Sequence, residues 1–166
     1  MPISQYVYFA LSSRDTSAAE MTAILGIEPD EISVSGSRIA NPRSIPVLHR
    51  WKVVCREPGL CIDEQVARVL ARLAPHMDDI AALARRLDAE VPRSPSAVLE
   101  VVRYFKAETD DQPDRLADED APAAASDLFG WHLGRDVLDF LQVTGAVLDV
   151  DEYDMTPNLA ERPGLS

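Results

Sequence analysis

Apolar and polar residues alternate from Gln5 to Leu11, which predicts a strand with Val7, Phe9 and Leu11 on one face and Tyr6, Tyr8 and Ala10 on the other. Ser17-Ala-Ala-Glu20 has capping-box spacing, with Asp15 as an alternative cap, and the helix that follows carries Met21, Ile24 and Leu25 towards a core before Gly26 ends it. Glu28-Pro29-Asp30 closes the turn. From 31 to 47, Gly36, Asn41, Pro42 and Pro46 predict loop, apart from an extended piece near Ile32 to Val34. Leu48 to Arg56 alternates again: His49, Trp51, Val53 and Cys55 share one face, and Leu48, Arg50, Lys52, Val54 and Arg56 share the other.

After the Pro58-Gly59 turn, Asp63 is a candidate cap for a helix with Val66, Val69, Leu70 and Leu73 at helical spacing. Pro75 disfavours helix at Ala74 and predicts a break before a second segment bearing Met77, Ile80, Leu83 and Leu87. Val98 to Lys106 is apolar on both faces, as a central strand would be, and the pattern leaves the sides of Glu100 and Arg103 undecided. Phe129 to Leu133 has the composition of a short strand. A helix over Arg135–Thr144, ended by Gly145, presents Val137, Leu138 and Leu141. The last strand, Ala146 to Tyr153, points Leu148 and Val150 inward and Asp149 and Asp151 outward.

This order predicts an α+β fold: a two-layer sandwich whose mainly antiparallel sheet of four to five strands has helices packed on one face, an arrangement open to a ferredoxin-like alternation. Residues 1–155 read as one domain with an acidic loop insertion at 107–128, and 156–166 as a polar tail. There is no internal repeat.

Charge changes the picture of partners. The 166 residues include 16 Lys and Arg against 28 Asp and Glu, a net −12, which argues against direct contact with a nucleic-acid backbone. Residues 108–127 hold eight acids, Glu108, Asp110, Asp111, Asp114, Asp118, Glu119, Asp120 and Asp127, against Arg115 alone, a net −7. With 46% apolar and 27% charged residues the chain suits one ordinary core, and fibrous or wholly disordered classes are excluded. Met1 to Ser13 lacks Lys and Arg, and its apolar run from Tyr6 to Leu11 is shorter than a signal-peptide core. No stretch approaches the roughly 20 apolar residues that a membrane span needs. The expected location is cytoplasmic, with no membrane partner. Cys55 and Cys61 are too few for a disulfide framework, although a bridge across their intervening turn stays open.

The order and spacing of several segments resemble the bacterial domain-of-unknown-function 4279 family. They are Tyr-Val-Tyr-Phe at 6–9, Ile-Leu-Gly-Ile-Glu-Pro-Asp at 24–30, a strand centred on Trp51, Leu-Ala-Pro-His at 73–76 and Thr-Gly-Ala-Val-Leu-Asp-Val-Asp-Glu-Tyr at 144–153. The resemblance implies a compact α+β domain and brings no catalytic residues with it.

Candidate chemistry is sparse. His49, His76 and His132 stand in no catalytic motif, and six residues of strand, about 20 Å, separate His49 from Cys55. Cys-x5-Cys with scattered histidines is not a zinc pattern. Asp149 and Asp151, about 7 Å apart on one strand face, could share a divalent cation, but the glycine and ligand periodicity of a calcium loop are missing. The expectation is no metal and no cofactor. The informative surface is the uncovered sheet face, where Tyr6, Tyr8, Arg50, Lys52, Asp149 and Asp151 should emerge together as a candidate binding face. Its bland counterpart is a solvated sheet laced with cross-strand ion pairs.

Three functions are weighed. The first is a non-enzymatic protein-interaction module, inhibitor- or immunity-like, holding a basic partner through its acidic surface. The second is a small-molecule-binding regulatory domain using the open sheet face, with homodimerisation open in either case. The third, an enzyme, requires a cleft containing His49 or the Asp149 and Asp151 pair.

Overall fold

The computed structural model describes residues 3–37, 46–90, 94–105 and 130–155. Both the acidic insertion, 107–128, and the tail, 156–166, lie outside the described residues. Elements follow in the order β1 (Ile3–Ser13), α1 (Ala18–Leu25), β2 (Glu31–Ser33), β3 (His49–Cys55), α2 (Ile62–Leu73), α3 (Met77–Asp88), β4 (Ala97–Phe105), α4 (Arg135–Thr144) and β5 (Val147–Asp154). Ala74–His76 is a single 3-10 turn between α2 and α3, placed where Pro75 removes a backbone donor.

The strands form one sheet in the order β2-β3-β1-β4-β5. β1 runs antiparallel to both of its neighbours, β2 pairs antiparallel with β3, and β4 with β5 is the parallel pair, joined through α4. The strand–helix alternation of a ferredoxin-like chain is thus kept, around a central strand that has antiparallel partners on both sides. Central position explains the composition of β1: Val7, Tyr8, Phe9 and Ala10 are all buried, two on each face.

Among the described residues, the helices pack on one face, against Val7, Phe9 and Leu11 of β1, Trp51 and Val53 of β3, and Leu99 and Val101 of β4. Trp51 is fully buried, and its indole N–H donates to Thr22 Oγ1 at 3.1 Å, so the polar end of the largest core side chain is satisfied by α1. Phe9 meets Phe140 of α4 edge to face, ring centroids 5.6 Å apart. The Ser17 capping box is formed as its spacing predicts, and Gly26 and Gly145 end their helices in the left-handed conformation at φ 66° and 69°.

Local readings fail in identifiable ways. Asp63 is not the cap of α2: Cys61 is, with the Glu64 carboxylate accepting its N–H at 2.9 Å. Asp63 instead accepts from the His132 N–H at 2.9 Å and lies 2.7 Å from His132 Nδ1. The described part of the expected 129–133 strand, 130–133, is not strand. Ile24 and Leu138 point outward, 44% and 52% exposed, because α1 buries Met21 and Leu25 and α4 buries Val137 and Phe140 instead. Val150 lies on the helix side by register but is 38% exposed, since it sits on the edge strand where helical cover runs out.

Candidate functional site

The face of the sheet away from the helices is where the candidate side chains meet. Register sets Tyr8 opposite Val54 on β3 and Glu100 on β4, Ala10 opposite Lys52 and Val98, and Tyr6 opposite Val102. On β5, Asp149 pairs with Glu100, Asp151 with Val102 and Tyr153 with Tyr104. Tyr6, Tyr8, Arg50, Lys52, Asp149 and Asp151 therefore share one face, because a strand's side chains alternate with a period of two. The undecided pair splits: Glu100 is on this face, while Arg103 is buried on the helix side, 2.9 Å from Glu152.

The middle of the face is aromatic and partly desolvated. Tyr8, Ala10 and Val102 are buried, with Tyr6, Val54 and Tyr104 packed around them. Tyr6 stacks on Tyr8 at 6.1 Å and Tyr104 on Tyr153 at 5.1 Å. Cations lie over the rings on one side: Lys52 Nζ is 3.9 Å from the Tyr8 centroid, and the Arg56 guanidinium is 3.9 Å from that of Tyr6. The same Arg56 reaches Glu31 of β2 at 2.8 Å.

The charges are sorted across the strands. Arg50, Lys52 and Arg56 stand on the β3 flank, with Glu31 beside them, whereas Glu100, Asp149 and Asp151 stand on the β4–β5 flank. Burial pushes the Lys52 ammonium below its ordinary pKa. Burial also pushes the Tyr8 hydroxyl far above the usual range, helped by its hydrogen bond to Glu100, so it stays a neutral donor. Tyr153 is raised by its hydrogen bond to Asp151, and Tyr104 by its bond with Tyr6.

A cavity of about 250 Å³ opens at one end of this face, bounded by Leu48, Arg50, Pro95, Ser96, Val98 and Asp149. A different cavity, of about 430 Å³, lies on the helix side between Leu70, Ala74, Met77 and Phe140. Among the described residues, no group of three or more His, Cys, Asp and Glu side chains gathers as a metal would require. His49 Nδ1 accepts the Ser35 N–H at 3.2 Å, and Cys55 and Cys61 are free thiols. Glu108, Asp110, Asp111, Asp114, Asp118, Glu119 and Asp120, the acidic-loop candidates, lie outside the described residues.

Sequence reasoning missed Glu100, Tyr104 and Tyr153 as members of the face; it set Arg56 beside Arg50 and Lys52 without counting it among the binding candidates. The alternation that places Tyr6 and Tyr8 would have placed Tyr104 and Glu100 too, had the phase of β4 been known; only its pairing with β1 supplies it.

The model of a family described as "Domain of unknown function (DUF4279)" matches residues 3–155. No curated protein and no solved structure matches the chain. Among the described residues, no helix is long and apolar enough to cross a membrane.

Proposed function

Because this chain belongs to the DUF4279 family, whose description assigns no activity, its function must be argued from its surface, and we propose that it is a non-enzymatic protein-interaction module working through the open sheet face. The observation that carries this reading is the sorting of charge on either side of a tyrosine-rich centre. Tyrosine anchors with charged flanks match the anatomy of protein interfaces, where aromatic side chains contribute contact area and charges set orientation and encounter rate. The acidic flank, Glu100, Asp149 and Asp151, suits a partner with a basic surface, and the net −7 of residues 108–127 adds attraction of the same sign. Inhibitor- and immunity-like proteins use such complementarity.

The test is capture from host lysate on wild type, on D149K/D151K and on a variant lacking 108–127. A basic protein retained by wild type, lost from D149K/D151K and released by moderate salt supports the reading. Retention of the same proteins by all three overturns it.

The cavity between Arg50 and Asp149 favours a second reading, a small charged ligand bound at the end of the face. It would be distinguished by ligand-induced thermal stabilisation that Arg50→Ala abolishes.

A further inference from the structure

We propose that the open face is the interface of an isologous homodimer, in which two copies pack sheet on sheet about a two-fold axis parallel to the strands. The Arg50, Lys52 and Arg56 flank of each copy then covers the Glu100, Asp149 and Asp151 flank of the other. This inference rests on the interaction reading above and names the partner: the basic surface that fits the acidic flank is carried by a second copy of the chain.

The geometry follows from the direction of the charge gradient. Basic and acidic side chains are separated across the sheet, from β3 to β5, and not along the strands. A two-fold axis lying in the interface and parallel to the strands exchanges left and right, so unlike flanks meet at both edges. An in-plane axis perpendicular to the strands keeps left on left and sets like charge on like, at a cost of several kcal/mol. Both in-plane axes align the strands of the two sheets, as in common face-to-face packing, and charge selects between them.

The centre and the area agree with this arrangement. On the axis side of each flank, Tyr6 and Tyr104 stand half-buried around Tyr8, Ala10 and Val102, which are already buried within each copy, so the strip that a second copy meets is the two tyrosines and the charges beside them. Lys52 and Arg56 are laid flat on tyrosine rings, which holds their charge close to the face. Five strands at about 4.8 Å spacing and about 25 Å length present roughly 600 Å² per copy, or about 1,200 Å² for a pair. That reaches the lower end of stable, specific interfaces.

Sedimentation equilibrium of the full chain tests the proposal, using wild type, R50E/R56E, D149K/D151K and an equimolar mixture of the two variants. Each variant gives both flanks the same net sign and repels itself, whereas the mixture restores opposite flanks. Wild type is expected to be a dimer that weakens with salt, each variant to associate at least about tenfold more weakly, and the mixture to form heterodimers. Should either double variant lack a cooperative melt, the single exchanges R50E and D149K, both at exposed side chains, reduce the charge contrast between the flanks and are each expected to weaken the dimer by a smaller factor. A monomeric wild type, a dimer that both variants retain, or folded variants that stay monomeric when mixed would each overturn self-pairing. The interaction reading fails separately, when lysate capture is indifferent to D149K/D151K.

Discussion

Tyr8 and Glu100 sit directly opposite each other on β1 and β4, and the Tyr8 hydroxyl donates to the Glu100 carboxylate in the middle of the open face. The pair places a carboxylate beside Asp149, its register partner on β5, with the tyrosine as its hydrogen-bond donor. Tyr8→Phe is expected to cost about 1–3 kcal/mol, because the Glu100 carboxylate loses its donor in a partly desolvated place. E100Q should cost less, and the double variant less than the sum, as urea denaturation in a double-mutant cycle would show.

The same hydrogen bond has an alkaline signature. The folded-state pKa of Tyr8 is raised, so its phenol contributes stability while neutral, and that contribution persists until pH exceeds the ordinary tyrosine range. In an absorbance titration, one of the chain's four tyrosines should ionise only with unfolding, and Tyr8→Phe should remove that late fraction.

Acid stability should depend on Glu90, which accepts from the Ser13 hydroxyl, from Thr16 Oγ1 at 2.9 Å and from the Asp15 N–H. Burial opposes its charge, but these donors outweigh burial and hold its pKa below the ordinary glutamate value. Its stabilisation is present above the unfolded pKa, about 4.3, and is lost as pH falls through the lower folded value. Glu90→Gln should lower the melting temperature at neutral pH and flatten its fall between about pH 5 and pH 3. An unchanged slope would contradict this.

Asp30 ties β3 to the helical layer. Its Oδ2 accepts the Val54 N–H at 2.7 Å and Arg72 Nη1 at 2.6 Å, while Arg72 Nη2 donates to the Glu28 carbonyl at 2.6 Å. The ion pair is more than a third exposed, so Arg72→Ala should cost only about 0.5–1 kcal/mol. Asp30→Ala should cost more, about 1–2 kcal/mol, because a backbone donor loses its acceptor as well. Chemical denaturation of the two variants would reverse the idea if Arg72→Ala were the worse.

Trp51 and Thr22 offer a core test. Trp51→Ala should cost about 3–5 kcal/mol through the cavity it leaves. Thr22→Val should cost about 1 kcal/mol by orphaning the buried indole N–H, and intrinsic fluorescence should report a changed Trp51 environment.

How far the sequence reaches differs from element to element. The phase of β1 was readable because Val7, Phe9 and Leu11 alternate with polar-edged tyrosines, and the break at Pro75 because proline lacks a backbone donor. Phe140 escaped because its helix offers Val137 with Phe140 and Leu138 with Leu141 as apolar pairs, and contact with Phe9 sets Phe140 as the fully buried one. Asp63 looked like a cap because it stands beside the start of α2, yet its carboxylate serves a residue 69 positions away.

By itself, then, the sequence determined the alternation of elements, the face on which Tyr6, Tyr8, Arg50, Lys52, Asp149 and Asp151 emerge, and the excess of negative charge, since each depends on local periodicity or on counting. The tertiary structure decided the order of the strands, the side taken by Glu100 and Arg103, and the placing of the cation-bearing β3 and the anion-bearing β4 and β5 on opposite flanks of β1. Those are properties of pairing between distant segments, and periodicity within a strand carries no information about which strand lies beside it.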